Sequence, residues 1–296
     1  MVAGKVMPLS AAVADLVPAG AKVALGGMHM HNNPMALVRE LVRQRRAIGE
    51  LLTSPSAGLG ADLLVGAGLV GRIATSYVGF EHLGLAPQFR RAVESGRLAV
   101  LEYDEAGIVH GLWAGAGGLP FAALPAGLEL ADVARVNPDR YRTVVDPFSG
   151  RTALAVAPLC PDVALIHAQE ADDQGNAVLA GAPFTDRLMA LAARRVVVQV
   201  ERVVPTARLT AAAVGTTIPG FLVAAVVEAP GGCHPTAAHG EYRYDEEELA
   251  GYLGTARDDA GLASWLDRHL GPDESAYQEQ VAGRLLALRR REDGPA

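Results

Sequence analysis

Cysteine is scarce: Cys160 and Cys233 are the only two in 296 residues. They stand too far apart for a disulfide framework or a zinc spacing. Such usage fits a reducing cytoplasm, which is the expected location. No run of about 18 uncharged apolar residues occurs, so no membrane span is expected. The N-terminus lacks the charged-then-apolar order of a signal peptide. Basic residues are also in deficit, 26 Lys and Arg against 33 Asp and Glu, for a net charge of −7. That balance argues against a nucleic-acid partner, and no polybasic segment offers itself to anionic lipid. The short basic clusters Arg43-Gln44-Arg45-Arg46 and Arg289-Arg290-Arg291 end helix-like runs, where positive charge suits the helix dipole. HExxH, GxSxG, CxxC and Walker motifs are missing, which removes the commoner hydrolase and nucleotide-binding signatures.

What is present is apolar: hydrophobic residues make up 50% of the chain, ample for a large core. The length allows one large or two modest domains. The most informative stretch is Leu25-Gly26-Gly27-Met28-His29-Met30-His31-Asn32-Asn33-Pro34. A β-rich run enters it, and an apolar run at helical spacing, Met35 to Gln44, leaves it. Strand, glycine turn and helix start either form a tight turn needing glycine torsions or cradle a phosphate-bearing ligand. The rhythm continues downstream. Strands are expected at Leu51–Thr53, Arg72–Val78 and Leu98–Tyr103, the last closing at Asp104-Glu105. Helices are expected at Leu9–Val17, Ala61–Ala67, Leu85–Ser95 and Ile108–Ala116. This alternation predicts an open, mostly parallel sheet with helices on both faces. Residues 127–150 read as a loop or small excursion. Core-like strands return at Thr152–Ala157, Val163–Gln169, Ala177–Leu179, Val196–Val200 and Leu222–Val227, with a helix over Asp186–Ala193. Val204–Thr217 reads as a polar loop. The expected division is an α/β domain over 1–245 and a helical C-terminal extension over 246–296, fraying from Glu292.

Several residues invite chemistry. Gly66-Ala67-Gly68-Leu69-Val70-Gly71 spells a dinucleotide fingerprint, but it follows a helix and opens a strand, the wrong context. His29 and His31 suit metal, yet no further ligand stands at metal spacing, so a ligand-facing polar loop is the preferred reading and no metal is expected. Glu105 ends a predicted strand at the carboxyl edge of the sheet, where open α/β folds place ligands. Desolvated there, it would serve as base or nucleophile; solvated, it is an ordinary acid near a helix start. Glu81 and Glu201 are weaker cases of the same kind. His167 and His234 read as hydrogen-bonded structural histidines.

The stretch from Gly20 to Met28, ending at Pro34, resembles the alpha-subunit signature of class I CoA-transferases. Met28 stands where that signature has Phe, and Asn32 where it has Gly. Gly118-Leu119-Pro120-Phe121, His167-Ala168-Gln169 with Asp172, Gly175 and Asn176, and Ala229-Pro230-Gly231-Gly232 with His234-Pro235 follow in the order of the glutaconate CoA-transferase alpha subunit. The resemblance implies a two-subunit enzyme whose beta chain carries the glutamate that forms the acyl anhydride and glutamyl-CoA thioester. No Glu-Asn-Gly segment for that role occurs here. This chain would supply the Gly26-Gly27 loop, its amides approaching the thioester, with His29, His31, Asn32 and Glu81 as acyl-pocket walls. Coenzyme A enters as substrate, and no resident cofactor is expected. The alpha subunit of the hydrolase that opens the last steroid ring is similar over the same span. It implies a functional glutamate at Glu105, where glutaconate transferase has glutamine. Three functions remain open on the sequence: CoA transfer to a small carboxylic or dicarboxylic acid, ring-opening hydrolysis of a cyclic acyl-CoA, and non-catalytic binding of a CoA thioester.

Overall fold

The computed structural model describes residues 4–211 and 217–289. Seven parallel strands form its main sheet: β1 (Ala21–Leu25), β2 (Ile48–Thr53), β3 (Val70–Thr75), β4 (Ala99–Glu102), β5 (Val163–Ala171), β6 (Arg195–Val203) and β7 (Val223–Glu228). Their order across the sheet is β7-β6-β5-β1-β2-β3-β4, and the short strand Ala177–Val178 adds an antiparallel pairing on β5. The chain runs outward from β1 to β4 on one side, then returns to β5 on the other side of β1. The strand order therefore reverses between β1 and β5, which is where open parallel sheets leave a crevice at their carboxyl ends.

Alternation along each strand builds two cores. Val23 and Leu25 of β1, Leu51 of β2 and Val163 and Leu165 of β5 pack on one face; Ala24, Leu52, Ala164 and Ile166 pack on the other. On the first face lie α1 (Leu9–Leu16), α2 (Met35–Arg43), α3 (Leu59–Gly66) and α4 (Pro87–Glu94). The second face is covered by α5 (Glu105–Ala116) and α6 (Asp186–Ala192). Strands so covered must be nearly all apolar, and β5 is buried through Gln169. The C-terminal helices α7 (Glu246–Thr255), α8 (Asp259–His269) and α9 (Glu274–Arg289) are not a loose tail. Leu249, Tyr252, Leu262 and Trp265 enter the first core, while Tyr277, Val281 and Leu285 close over Cys233 and Tyr242.

Five expectations need correction. The 127–150 excursion holds a helical turn, Val133–Val136, and the strand Tyr141–Val145. That strand pairs antiparallel with Thr152–Val156, which thus belongs to a separate three-stranded sheet with Ala122–Ala123 and not to the main one. The expected strand Arg72–Val78 is split: β3 ends at Thr75, and Tyr77–Val78 leaves the main sheet to pair with Ser56–Ala57. Asp104-Glu105 does not close a strand, because β4 stops at Glu102 and Glu105 opens α5. Within the expected loop after Val204, Thr206–Ala211 is helical. The expected fraying from Glu292 lies outside the described residues.

Candidate active site

The glycine loop leaves the carboxyl end of β1, beside the β1/β5 reversal. Gly27 has φ +80°, and a Cβ there would come within 2.7 Å of the Asn32 carbonyl oxygen. Glycine is required because the chain doubles back on itself at this point. The turn is closed by paired backbone bonds, Met28 N–H to His31 O at 3.0 Å and His31 N–H to Met28 O at 2.9 Å. The expectation that the Gly26 and Gly27 amides face a thioester is overturned. Gly26 N–H donates to Leu165 O at 2.9 Å, and Gly27 N–H donates to Asp186 Oδ1 at 2.9 Å. Both donors are used inside the protein. Asp186 is fully buried, its other oxygen has no hydrogen-bond partner among the described residues, and burial pushes its pKa up to about 7 against the pull of the Gly27 amide.

Asn32, expected to line the acyl pocket, turns its side chain inward instead and is 2% exposed. Its Oδ1 accepts from Gln169 Nε2 at 3.1 Å and from the His239 amide at 3.2 Å. Gln169 Oε1 in turn accepts from the Ala180 amide at 2.7 Å. Asn32 therefore fastens the loop to β5 and to two later segments, at φ +52°, a conformation that Asn tolerates better than most residues. His29 and His31 point to the open side. His31 packs edge-on against Tyr244, and its pKa is held down first by desolvation, then by His29 and His239. His29 meets Glu81, which is carried by the loop after Tyr77–Val78. Gly26, Gly27, His29, His31, Asn32 and Glu81 thus converge at one edge of the sheet.

Glu105 lies apart from this group, in the first turn of α5 behind the edge strand β4. It is exposed, as in the solvated of the two readings, and no side-chain partner is found for it among the described residues. Its neighbour Asp104 is the N-cap, accepting from Gly107 N–H at 2.8 Å and from Tyr141 Oη at 3.0 Å. The glutamate is held in place by its backbone while its carboxylate is left to solvent.

A second polar cluster, His167, Glu201 and Cys233, is wholly buried, with potential ligand atoms within 4.8 Å of one another. Its hydrogen bonds argue against a metal. Gln199 Oε1 accepts from the Leu37 amide at 3.1 Å, so its NH₂ group faces His167 Nδ1 at 3.0 Å. Nδ1 is then the acceptor and Nε2 carries the proton, so Nε2 offers a metal no lone pair. Burial lowers the His167 pKa to about 3 and raises those of Glu201 and Cys233. Glu201 also accepts from Gly231 N–H and Tyr242 Oη, as a buried structural acid does. His234, between Tyr277 and Asp245, is likewise hydrogen-bonded on both ring nitrogens.

Sequence reading missed Asp186, Gln169 and His239 as members of the site. Asp186 stood in a helix start and Gln169 in an apolar strand, and only the latter carried a signal, a polar residue closing a hydrophobic run. His239 carried none.

A glycine loop pinned at the strand-order reversal of an open parallel sheet defines an α/β chain that presents a ligand site along its carboxyl edge. The chain belongs to the coenzyme A transferase family, whose model matches residues 6–229, and it is of the alpha type within that family. It is 36% identical over 94% of its length to the alpha-type chain of 3-oxoadipate CoA-transferase from Pseudomonas knackmussii, covering 98% of that protein. To the cholesterol ring-cleaving hydrolase IpdA subunit of Rhodococcus jostii it is 35% identical, over 94% of this chain and 95% of that one. It spans 65% of the length of an uncharacterized Archaeoglobus fulgidus relative with 34% identity over 97% of this chain. The solved structure of glutaconate coenzyme A-transferase from Acidaminococcus fermentans superposes with a TM-score of 0.89 at 30% identity, covering 96% of this chain and 95% of that chain.

Proposed function

We propose that this chain is the alpha half of a two-subunit enzyme that moves CoA between an acyl-CoA thioester and a small carboxylic or dicarboxylic acid. The observation that carries the reading is the glycine loop at the β1/β5 reversal, open on its outer side to His29, His31 and Glu81. Asp186 is buried beneath that loop and occupied by Gly27, so it is not the residue that accepts an acyl group. A beta subunit supplies that glutamate and closes the site. Relatives named for 3-oxoadipate and glutaconate support a small dicarboxylic acyl group.

A second reading rests on Glu105, which opens a capped helix start with its carboxylate exposed and, among the described residues, unengaged. In a ring-opening hydrolase, where a cyclic acyl-CoA is cleaved by water, Glu105 would act as general base from this edge. One experiment separates the readings. The chain is co-expressed with a CoA-transferase-like beta subunit, and acyl-CoAs are screened for CoA exchange into acetate and for ring opening. Transfer predicts exchange, and inactivation when borohydride is added with acyl-CoA, through reduction of a glutamyl thioester. Hydrolysis predicts ring opening that Glu105→Gln lowers at least about 100-fold. A complex that binds acyl-CoA and turns over none of them leaves the chain a non-catalytic binding subunit.

A further inference from the structure

Two non-glycine residues in the left-handed region, His29 at φ +50° and Glu81 at φ +53°, come from different loops and meet side chain to side chain. Such torsions persist where the surrounding structure imposes them, and they gather at functional sites. Here the imposition is visible. His29 N–H donates to Ser56 O at 2.8 Å, and Gly79 N–H donates to Ala57 O at 2.9 Å. One short segment therefore holds both loops. Gly58 completes the clamp, since a Cβ there would come within 2.6 Å of His29 O.

The contact sets His29 Nδ1 against a Glu81 carboxylate oxygen, off hydrogen-bond alignment. Catalytic hydrogen bonds are often poorly aligned without substrate and tighten when it binds. An ionised carboxylate can only accept, so the nitrogen facing it is the one that bears hydrogen. Nε2, across the ring, then carries the lone pair. The His29 side chain is 26% exposed and Glu81 44%, so water reaches the pair. Beside a carboxylate, the ring has no positive charge to spare for a substrate carboxylate. The pair is suited to moving a proton, not to binding an anion.

We propose that His29, oriented by Glu81, is a water-activating base that gives the assembled enzyme a thioester hydrolase activity beside CoA transfer. The inference rests on the reading of this edge as the acyl-CoA site. Transfer passes a thiolate and a carboxylate between acyl carbons and needs no such base; attack by water does. His29 Nε2 takes a proton from water as the oxygen bonds to the thioester carbonyl carbon. The carbon–sulfur bond then breaks, and the imidazolium returns the proton to the CoA thiolate. The products are the free acid and CoA thiol. Glu81 is a positioning residue, acting only through His29.

The test uses the alpha–beta complex, with acetyl-, acetoacetyl- and glutaryl-CoA and without an acceptor acid. Thiol release is measured, and CoA transfer to acetate is measured in parallel. His29→Gly is the chosen variant because glycine accepts the positive φ without strain. It is expected to lower the ratio of hydrolysis to transfer about 100-fold, and added imidazole is expected to restore hydrolysis. Glu81→Gln is expected to lower kcat for hydrolysis about tenfold with KM unchanged, as loss of orientation without loss of binding requires. No thiol release with any of the three substrates overturns the proposal. So does an unchanged ratio in His29→Gly, or a loss that imidazole does not repair. If hydrolysis is rescued by imidazole while no acid accepts CoA, the transfer reading fails and the dyad stands. If transfer is present and hydrolysis is indifferent to His29, the reverse holds.

Discussion

Asp186 lies beneath the glycine loop, 1% exposed, with one oxygen on the Gly27 amide and the other without a hydrogen-bond partner among the described residues. Its pKa stands near 7 because burial penalises the charged form more than the Gly27 bond favours it. The folded protein therefore holds this proton more tightly than the unfolded chain does. Stability from the site is full below the ordinary carboxylate pKa of about 4 and is lost as pH rises to about 7, an upper bound of roughly 4 kcal/mol. Asp62, raised to about 6 by burial, acts in the same direction. Asp186→Asn keeps an oxygen for Gly27 and removes the titration, so urea unfolding from pH 4 to 8 should show a flatter decline than in wild type. Asp186→Leu leaves the Gly27 N–H unpaired in the interior and should cost a further ~1–3 kcal/mol. A decline as steep in Asp186→Asn as in wild type would show that the proton is held elsewhere.

At the scale of elements, α2 carries the loop into the core and α9 anchors α2. Arg39 is 1% exposed; its Nε donates to Glu274 Oε2 at 2.9 Å and its NH1 to His234 O at 2.8 Å. The guanidinium lies 3.7 Å from the centre of the Tyr277 ring. Removing one partner strands a buried charge, so Glu274→Ala should lower stability by about 3–5 kcal/mol in chemical denaturation, while Arg39→Met with Glu274→Leu should recover most of that loss. Equal losses in the single and double variants would show packing to matter more than the charge. The strand, loop and helix around Gly26-Gly27 were legible because each signal is local: β-branched run, glycines, then helical spacing. The bonds that fix the loop were not, because Asn32 and Gln169 lie 137 residues apart and Gly27 and Asp186 lie 159 apart. Asp104 misled for a related reason. An aspartate after an apolar run reads as a strand end, and its role as N-cap depends on Gly107 and Tyr141. The strand Tyr141–Val145 escaped notice because it is short and largely exposed, with no clean alternation to reveal it.

At the scale of the whole molecule, the candidate site is one-sided. His31 and His239 are exposed, and the Gly26 and Gly27 amides, the loop's donors toward an oxyanion, are already engaged within the chain. A thioester reaction needs water controlled and developing charge met by preorganised donors. This chain alone provides a floor and one wall. On the proposed two-subunit reading the second wall comes from a different subunit, and binding it stabilises the fold by mass action. At a partner concentration of about 100 Kd the gain is roughly 2.7 kcal/mol. Thermal unfolding of the chain should shift upward with each addition of the CoA-transferase-like beta chain and saturate at one beta per alpha, with acyl-CoA turnover rising in step. A melting temperature indifferent to the beta chain, or turnover by the isolated alpha chain equal to that of the mixture, would mean that the exposed edge is complete as it stands.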